Sequence, residues 1–187
     1  ISKIFLSESN EDMYAYVLDV LKEVFQSPYG YFGYINQDNA LVCPSMTRDV
    51  WERCQIPDKD IVFPPDVWAG LWGQSLRARS TLISNGPLKL PAGHVQLHRA
   101  MVSAIVEREE LVGQIALGGR ATPYTELEKE LLTNISDMIA PILSARLEAA
   151  RWERERQAAV EQLVEAKHKA EAANQAKSEF LANMSHE

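Results

Sequence analysis

The sequence predicts an α+β fold, in which an antiparallel sheet with flanking helices is followed by a long C-terminal coiled-coil helix. Two observations predict the sheet domain: apolar segments occur in pairs separated by polar turns, and a segment rich in tryptophan and proline lies between the pairs. A third observation predicts the coiled coil: no glycine follows Gly119, and apolar residues recur at heptad spacing in the C-terminal part of the chain. Hydrophobic residues make up 46% of the 187 positions, enough for a folded core.

The first part of the chain predicts a helix and then a hairpin. A helix over residues 10–26, with Ser9 as its N-cap, would bury one face. That face consists of Met13, Val17, Leu21 and Val24. The aromatic segment 29–35 and the apolar segment 40–45 then predict two strands, because Gln37, Asp38 and Asn39 form a turn-like stretch between them.

The middle of the chain predicts a loop-rich insert over residues 47–99, with a short helix at 70–79 and a strand at 80–84. After it, segments 100–107 and 111–119 predict a second hairpin, joined by a polar turn of Arg108, Glu109 and Glu110.

A very long helix is predicted from Thr125 onward. Thr125 and Glu128 match a capping box, in which each side chain accepts a hydrogen bond from the other residue's amide. Unbroken to Glu187, such a helix would extend roughly 90 Å at 1.5 Å per residue. Pro141 predicts a kink or break near residues 137–141, because it lacks an amide donor and crowds the carbonyl of Asp137.

The heptad pattern predicts a parallel homodimer. The a and d positions are Ile142, Ala145, Ala149, Trp152, Arg156, Ala159, Leu163, Ala166, Ala170, Ala173, Lys177, Phe180 and Met184. All except Arg156 and Lys177 are apolar, but alanine dominates, which favours a closely approaching and marginally stable dimer. The alternative is a solvated single helix.

In this heptad register His186 occupies a c position, so its imidazole would point away from the seam and into solvent. A neutral imidazole nitrogen can act there as a nucleophile.

The string AKSEFLANMSHE at residues 176–187 resembles the start of the phosphoacceptor box of bacterial-type sensor histidine kinases. The resemblance implies that His186 is the phosphoacceptor and that Glu187 assists proton removal. It also implies a kinase domain using ATP and Mg²⁺, and a response regulator as partner. No ATP-binding domain follows in this sequence, so we expect this chain alone to be inactive.

Residues 1–145 resemble a GAF domain, the sensor module often placed before histidine kinases. The order of elements, the hairpin ending in LVGQIALGGR and the helix opening at PYTELEKELL carry this resemblance, and a PAS domain is the alternative. We therefore expect a GAF-like sensor over residues 1–145, a signalling helix over 146–175 and the opening of the phosphoacceptor helix over 176–187.

The resemblance places a ligand pocket between the sheet and the irregular middle segment. Candidate pocket residues are Trp51, Cys54, Phe63, Trp68, Trp72, His94 and His98. Aromatic side chains with a few polar groups are typical of ligand sites, but also of ordinary cores. The ligand stays unknown. The cyclic-nucleotide pattern of relatives has only loose counterparts here, at Arg120, Tyr124 and Glu128. Bilin-carrying relatives attach the pigment through a cysteine next to a histidine, but His98 is followed by Arg99 and Ala100.

Haem is a further candidate ligand, because histidine and cysteine can both serve as axial ligands. A haem-binding sensor is therefore one alternative function, and a purely structural dimerisation module is another. A third is an enzyme with Cys54 as nucleophile and His94 or His98 as base.

Charge and cysteine content exclude several classes. The net charge of −7 argues against nucleic acid as a partner, because phosphate binding normally needs a basic surface. The two cysteines make neither a disulfide framework nor a zinc cluster, which favours a cytoplasmic setting. No apolar stretch approaches the roughly 18 residues of a membrane helix, although upstream segments of a parent protein could associate with a membrane.

Overall fold

The structure, a computed structural model, describes residues 10–47, 61–88, 90 and 95–184. The chain divides into two units, residues 1–144 and residues 145–187. Several residues singled out above lie outside the described ranges: Ser9, Trp51, Cys54, His94, His186 and Glu187.

Three α-helices, one short 3₁₀ helix and six strands make up the described residues. The strands are β1 (Tyr29–Ile35), β2 (Leu41–Met46), β3 (Val62–Phe63), β4 (Thr81–Ser84), β5 (Ala100–Glu107) and β6 (Glu110–Gly118). The helices are α1 (Asn10–Val24), the 3₁₀ helix (Pro65–Val67), α2 (Gly70–Ala78) and α3 (Glu126–Met184). Among these helices none combines the length and apolarity needed to span a bilayer.

The six strands form one sheet in the order β3-β2-β1-β6-β5-β4, and every neighbouring pair is antiparallel. This arrangement confirms the predicted α+β class and both predicted hairpins. The two hairpins join along β1 and β6, where Phe32 pairs with Ile115. That central pairing connects segments far apart in the sequence.

The β5–β6 turn is shorter than predicted. Arg108 and Glu109 have φ of 49° and 69°, so both turn residues are left-handed, as a two-residue hairpin turn of type I′ requires. Glu110 does not belong to the turn, because it pairs with Glu107 as the first rung of the ladder.

Helix α1 buries the predicted face with one exception. Met13, Val17 and Leu21 are fully buried, but the prediction for Val24 is wrong, because 54% of its surface is exposed. The buried stripe advances by four residues at each step and therefore continues to Phe25.

Gln26 ends this helix two residues earlier than the sequence predicted. It adopts a left-handed φ of 48°. The amide of Ser27 donates to the carbonyl of Lys22 (2.9 Å), and the amide of Gln26 donates to that of Glu23 (3.2 Å). This pair of bonds is a Schellman motif, which satisfies the last helical carbonyls.

Helices cover both faces of the sheet. A Cβ atom added at Gly30 would lie 3.0 Å from the Leu18 side chain of α1, and one added at Gly113 would lie 2.9 Å from the Leu143 side chain of α3. Both glycines face the same side of the sheet. Gly113 pairs with Tyr34, and Tyr34 lies an even number of residues from Gly30 on β1, where side chains alternate between the two faces. The opposite side faces α2.

The predicted capping box opens α3. The amide of Glu128 donates to Thr125 Oγ1 (3.2 Å), and the amide of Thr125 donates to Glu128 Oε2 (2.8 Å). The helix does not break at Pro141, since α3 continues through it to Met184. Pro141 and Asp137 are both exposed, so water can satisfy the Asp137 carbonyl that has lost its helical donor.

Candidate functional site

The face of the sheet that meets α2 carries a mixed aromatic and aliphatic cluster. Its buried members are Leu41, Cys43 and Leu76, against which pack Tyr31, Ile35, Met46, Phe63, Trp68, Trp72 and Leu111. The register shift between the pairs Phe32–Ser45 and Tyr34–Val42 leaves Met46 opposite Tyr31 and Leu41 opposite Ile35, so the β1 and β2 members share one face. The apolar face of α2 covers them.

A buried glutamine ties this cluster together. Tyr31 Oη donates to Gln114 Oε1 (2.6 Å), and Gln114 Nε2 donates to the carbonyl of Trp72 (2.9 Å). Gln114 is 0% exposed, so its amide needs both bonds to avoid the cost of an unsatisfied buried group. Sequence reasoning missed this residue, although a lone glutamine inside the apolar strand LVGQIALGG was the available signal.

Burial keeps the titratable groups of this cluster neutral. Desolvation, with a smaller contribution from Cys43, holds the pKa of Tyr31 well above its usual range. Desolvation also raises the pKa of the Cys43 thiol. Cys43 is therefore a protonated, buried side chain and is unsuited to act as a thiolate nucleophile. Within the described ranges, no group of three or more histidine, cysteine or acidic residues is arranged to hold a metal ion.

A cavity of about 500 Å³ opens beside this cluster. It lies where the β1–β2 and β5–β6 turns approach the C-terminal end of α2. Among the described residues, its lining is formed by Ile35, Asn39, Pro65, Trp68, Leu76, Arg77, Arg79, Glu110 and Leu111. The volume is in the range typical of small-molecule sites.

Two arginines at the end of α2 reach backbone carbonyls around the cavity. Arg77 Nη1 donates to the carbonyl of Trp68 (2.7 Å), and Arg79 Nη1 donates to the carbonyl of Glu109 in the β5–β6 turn. Arg79 follows the last helical residue with a left-handed φ of 52°, and its amide caps the carbonyl of Leu76. The end of α2 is thereby tied to both neighbouring segments.

The predicted pocket residues occupy different positions around this site. Trp68 lines the cavity, and its Nε1 donates to the carbonyl of Phe63 (3.0 Å). Phe63 and Trp72 pack edge to face in the adjoining cluster, with ring centroids 5.8 Å apart. His98 is exposed and is not part of the cavity lining. Trp51, Cys54 and His94 lie outside the described residues.

A second polar cluster lies at the start of α3. Arg120 donates to the carbonyls of Phe25 (3.1 Å) and Pro123 (2.9 Å) and forms an ion pair with Glu128. Its guanidinium carbon lies 4.7 Å from the centre of the Tyr124 ring, within cation–π range. Arg120 therefore joins the end of α1 to the first turn of α3.

Hydroxyl groups bond the sheet to α3 at Thr133 and Ser136, about one and two turns after Glu128. Ser103 Oγ lies 2.8 Å from Thr81 Oγ1, Ser136 Oγ donates to Ser103 Oγ (2.8 Å), and Thr133 Oγ1 donates to Thr81 Oγ1 (2.7 Å). Ser103 and Ser136 are buried, so these bonds fix α3 against β4 and β5. A displacement of these strands would be passed directly to α3.

The fold and sequence resemble known sensory domains. The GAF domain family model matches residues 7–144. A methyl sulfide methyltransferase-associated sensor from Methanosarcina acetivorans is 30% identical over 115 residues. That match covers 57% of this chain but only 11% of the sensor, so this chain is similar to a small part of a much longer protein.

Solved structures share the fold at low sequence identity. The GAF domain of a phosphoenolpyruvate-protein phosphotransferase from Coxiella burnetii has a TM-score of 0.60 at 14% identity, covering 80% of this chain and 92% of that one. The free methionine-R-sulfoxide reductase of Neisseria meningitidis has a TM-score of 0.56 at 18% identity, covering 81% and 86%. The GAF-B domain of DevS from Mycobacterium smegmatis has a TM-score of 0.55 at 16% identity, covering 74% and 96%. These similarities establish architecture, since one fold can carry different functions.

Proposed function

This chain belongs to the GAF domain family, and from that premise we propose that it is the signal-sensing and dimerisation part of a cytoplasmic two-component sensor histidine kinase. The observation that carries the proposal is helix α3, which begins at the GAF domain with Glu126 and stays helical to Met184, two residues before His186. The sensor from Methanosarcina acetivorans, whose similar segment is also a small part of a longer chain, is in keeping with it.

A change at the domain would reach α3 through the contacts of its first three turns. Arg120 bonds Glu128, and Ser103 bonds Ser136, so both the preceding loop and the sheet hold this part of the helix. A ligand that binds two arrangements of the domain with different affinity would shift the population of α3 positions. In the full-length protein that shift would alter the access of the ATP-binding domain to His186.

A second copy of the chain would cover the exposed seam of α3. The seam residues Trp152 and Leu163 are 65% and 70% exposed, which is unfavourable for large apolar side chains in water. The same heptad count extended backward places Leu131 and Met138 at d positions, and these are 44% and 67% exposed. The residues that α3 buries against its own sheet include Ile139, which lies at an e position. The a/d positions thus remain for a parallel partner helix.

Introducing Leu163→Arg at an a position tests the dimer. The charge would have to be buried in the seam, so we expect dissociation to monomer at tens of micromolar in analytical ultracentrifugation. Glu161→Arg is the matched control, because position 161 is an f position and faces away from the seam. If the original protein is monomeric, or if both variants remain dimeric, the coiled-coil assignment is wrong.

The phosphoacceptor assignment is tested in full-length protein with ATP and Mg²⁺. His186→Gln should abolish acid-labile phosphate, because the amide cannot form a phosphoramidate bond. His168→Gln provides the matched control, since this histidine lies on the same helix with an exposed side chain. Phosphate that persists in the His186 variant, or disappears in the His168 variant as well, would refute the assignment. The phosphate on His186 would then pass to a response regulator.

A further inference from the structure

The cavity beside α2 combines an apolar wall with charged side chains. Ile35, Trp68 and Leu111 contribute apolar surface, and Asn39, Arg77, Arg79 and Glu110 contribute polar groups. The indole N–H of Trp68 is already bonded to the carbonyl of Phe63, so this side chain offers a ligand its apolar ring surface. A ligand matched to this lining must itself have an apolar and a charged part.

Within the part of the chain that the structure describes, the two guanidinium groups are held in place by hydrogen bonds but have no acidic partner. Arg108 and Arg120 form ion pairs with Glu107 and Glu128, whereas the bonds of Arg77 and Arg79 within the described ranges go to backbone carbonyls. Each of these carbonyl bonds uses one terminal nitrogen, Nη1. A guanidinium has five N–H donors in a rigid planar fork, so its remaining edge can receive a carboxylate.

The small positive charge of the lining favours a ligand that carries a single negative charge. Among the described lining residues, two arginines and one glutamate give a net charge of +1, although the whole chain carries −7. A monoanion balances this lining, whereas a second negative group would meet Glu110. Both arginines are solvent-exposed, and ion pairs in water are weak, so charge alone would not hold a ligand. Binding therefore also requires burial of an apolar body.

We propose that this cavity binds a small monocarboxylate with an apolar body. The carboxylate bonds Arg77 and Arg79, and the body packs against Ile35, Trp68 and Leu111. This inference rests on the proposed sensing function and names the ligand class of that sensor. It also gives the ligand a route to the rest of the domain, since Arg79 holds the turn between β5 and β6 and β5 carries Ser103.

The first experiment is isothermal titration calorimetry of the whole chain with matched acids and amides. The acids are phenylacetate, indole-3-acetate and 4-methylvalerate, each paired with its neutral amide, and acetate supplies the charge without the body. We expect at least one acid to bind, with its amide and acetate each at least about tenfold weaker, as loss of a charged hydrogen bond or of apolar burial implies. If no acid binds more tightly than its own amide, or acetate binds equally well, the proposal is wrong.

The second experiment uses variants of opposite expected sign. Arg77→Gln and Arg79→Gln should each weaken binding of the acid about tenfold, whereas Glu110→Gln should strengthen it, because a repelling charge is removed. Arg154→Gln is the matched control, since Arg154 is also exposed and donates to a backbone carbonyl (3.2 Å), but lies on the C-terminal helix. Thermal unfolding verifies that each variant folds.

Equal effects of Glu110→Gln and Arg77→Gln, or an equal loss in the Arg154 variant, would overturn the carboxylate assignment. Neither result depends on phosphorylation. Failure of the ligand assignment therefore leaves the His186 experiment standing, and failure at His186 leaves the acid selectivity measurable.

Discussion

Replacing Glu128 by glutamine tests how firmly the start of α3 is anchored to the sensor domain. The Glu128 carboxylate accepts bonds from the amide and hydroxyl of Thr125, both at 2.8 Å, and pairs with Arg120. Glutamine keeps an oxygen for the Thr125 amide but loses the charge that faces Arg120. The substitution therefore removes the ion pair and leaves most of the capping box in place.

The magnitude follows from the exposure of the pair. A hydrogen bond to a charged group contributes about 1.5–3 kcal/mol when buried, and an exposed ion pair about 0–1 kcal/mol. The Arg120 and Glu128 side chains are 11% and 24% exposed, which places this pair between those limits. We expect Glu128→Gln to lower the free energy of unfolding by about 1.5 kcal/mol at neutral pH, and Glu128→Ala by about 1 kcal/mol more, since alanine also loses the cap.

The loss should depend on pH in a defined direction. Burial alone would raise the pKa of Glu128, but hydrogen bonds from Arg120 and Thr125 outweigh it and lower that pKa below its usual range. A carboxyl with a lowered folded-state pKa stabilises the protein above its unfolded-state pKa, about 4.3, and this contribution disappears as pH falls through the folded-state pKa. The original protein and the glutamine variant should therefore converge in stability in acid.

Urea or thermal unfolding followed by circular dichroism measures both effects, and 1.5 kcal/mol corresponds to a Tm shift of about 4 °C for a chain of this size. Glu126→Gln is the control, because Glu126 pairs with Lys129 at a side-chain exposure of 85% and should change stability by less than about 0.5 kcal/mol. Equal stability of the Glu128 variant and the original at pH 7, or a gap that persists in acid, would refute the reasoning.

Two further predictions concern the cluster under α2. Gln114→Met should cost about 1–3 kcal/mol by urea unfolding, since it leaves the buried Tyr31 Oη without its partner and removes the bond from Gln114 to the Trp72 carbonyl. Adding Tyr31→Phe should recover about 1 kcal/mol, and a double variant no more stable than the single one would contradict this. In a Cys54→Ser variant, Cys43 is the one remaining thiol. Because burial raises the pKa of this thiol, Cys43 should react with Ellman's reagent only as urea unfolds the domain. Rapid labelling without urea would contradict the burial of Cys43.

Local sequence patterns predicted most elements of the fold. The sequence patterns correctly predicted strands β1 and β5, helix α2 and the capping box at Thr125. These features depend on residues within a few positions of one another, so a single sequence contains the information. The exceptions are also local in origin: Val24 is exposed because the buried stripe advances to Phe25, and Gln26 ends α1 through its left-handed conformation.

The candidate site was predicted less completely. Trp68 was identified as a pocket residue and lines the cavity. Arg77 and Arg79 were not identified, because arginines at the end of an exposed helix look like ordinary surface residues in sequence. Their position beside the cavity depends on which turns the sheet brings to that end, and local spacing does not specify this.

The sequence by itself determined the α+β class, the two hairpins, the long C-terminal helix and the resemblances to a GAF sensor and a phosphoacceptor box. Tertiary structure alone decided that β1 pairs with β6, that Gln114 bonds Tyr31, and that Arg120 joins the end of α1 to the first turn of α3. The reason is that periodicity and caps arise from interactions between near neighbours. Contacts between distant segments depend instead on which pairing buries the most apolar surface while satisfying every buried polar group.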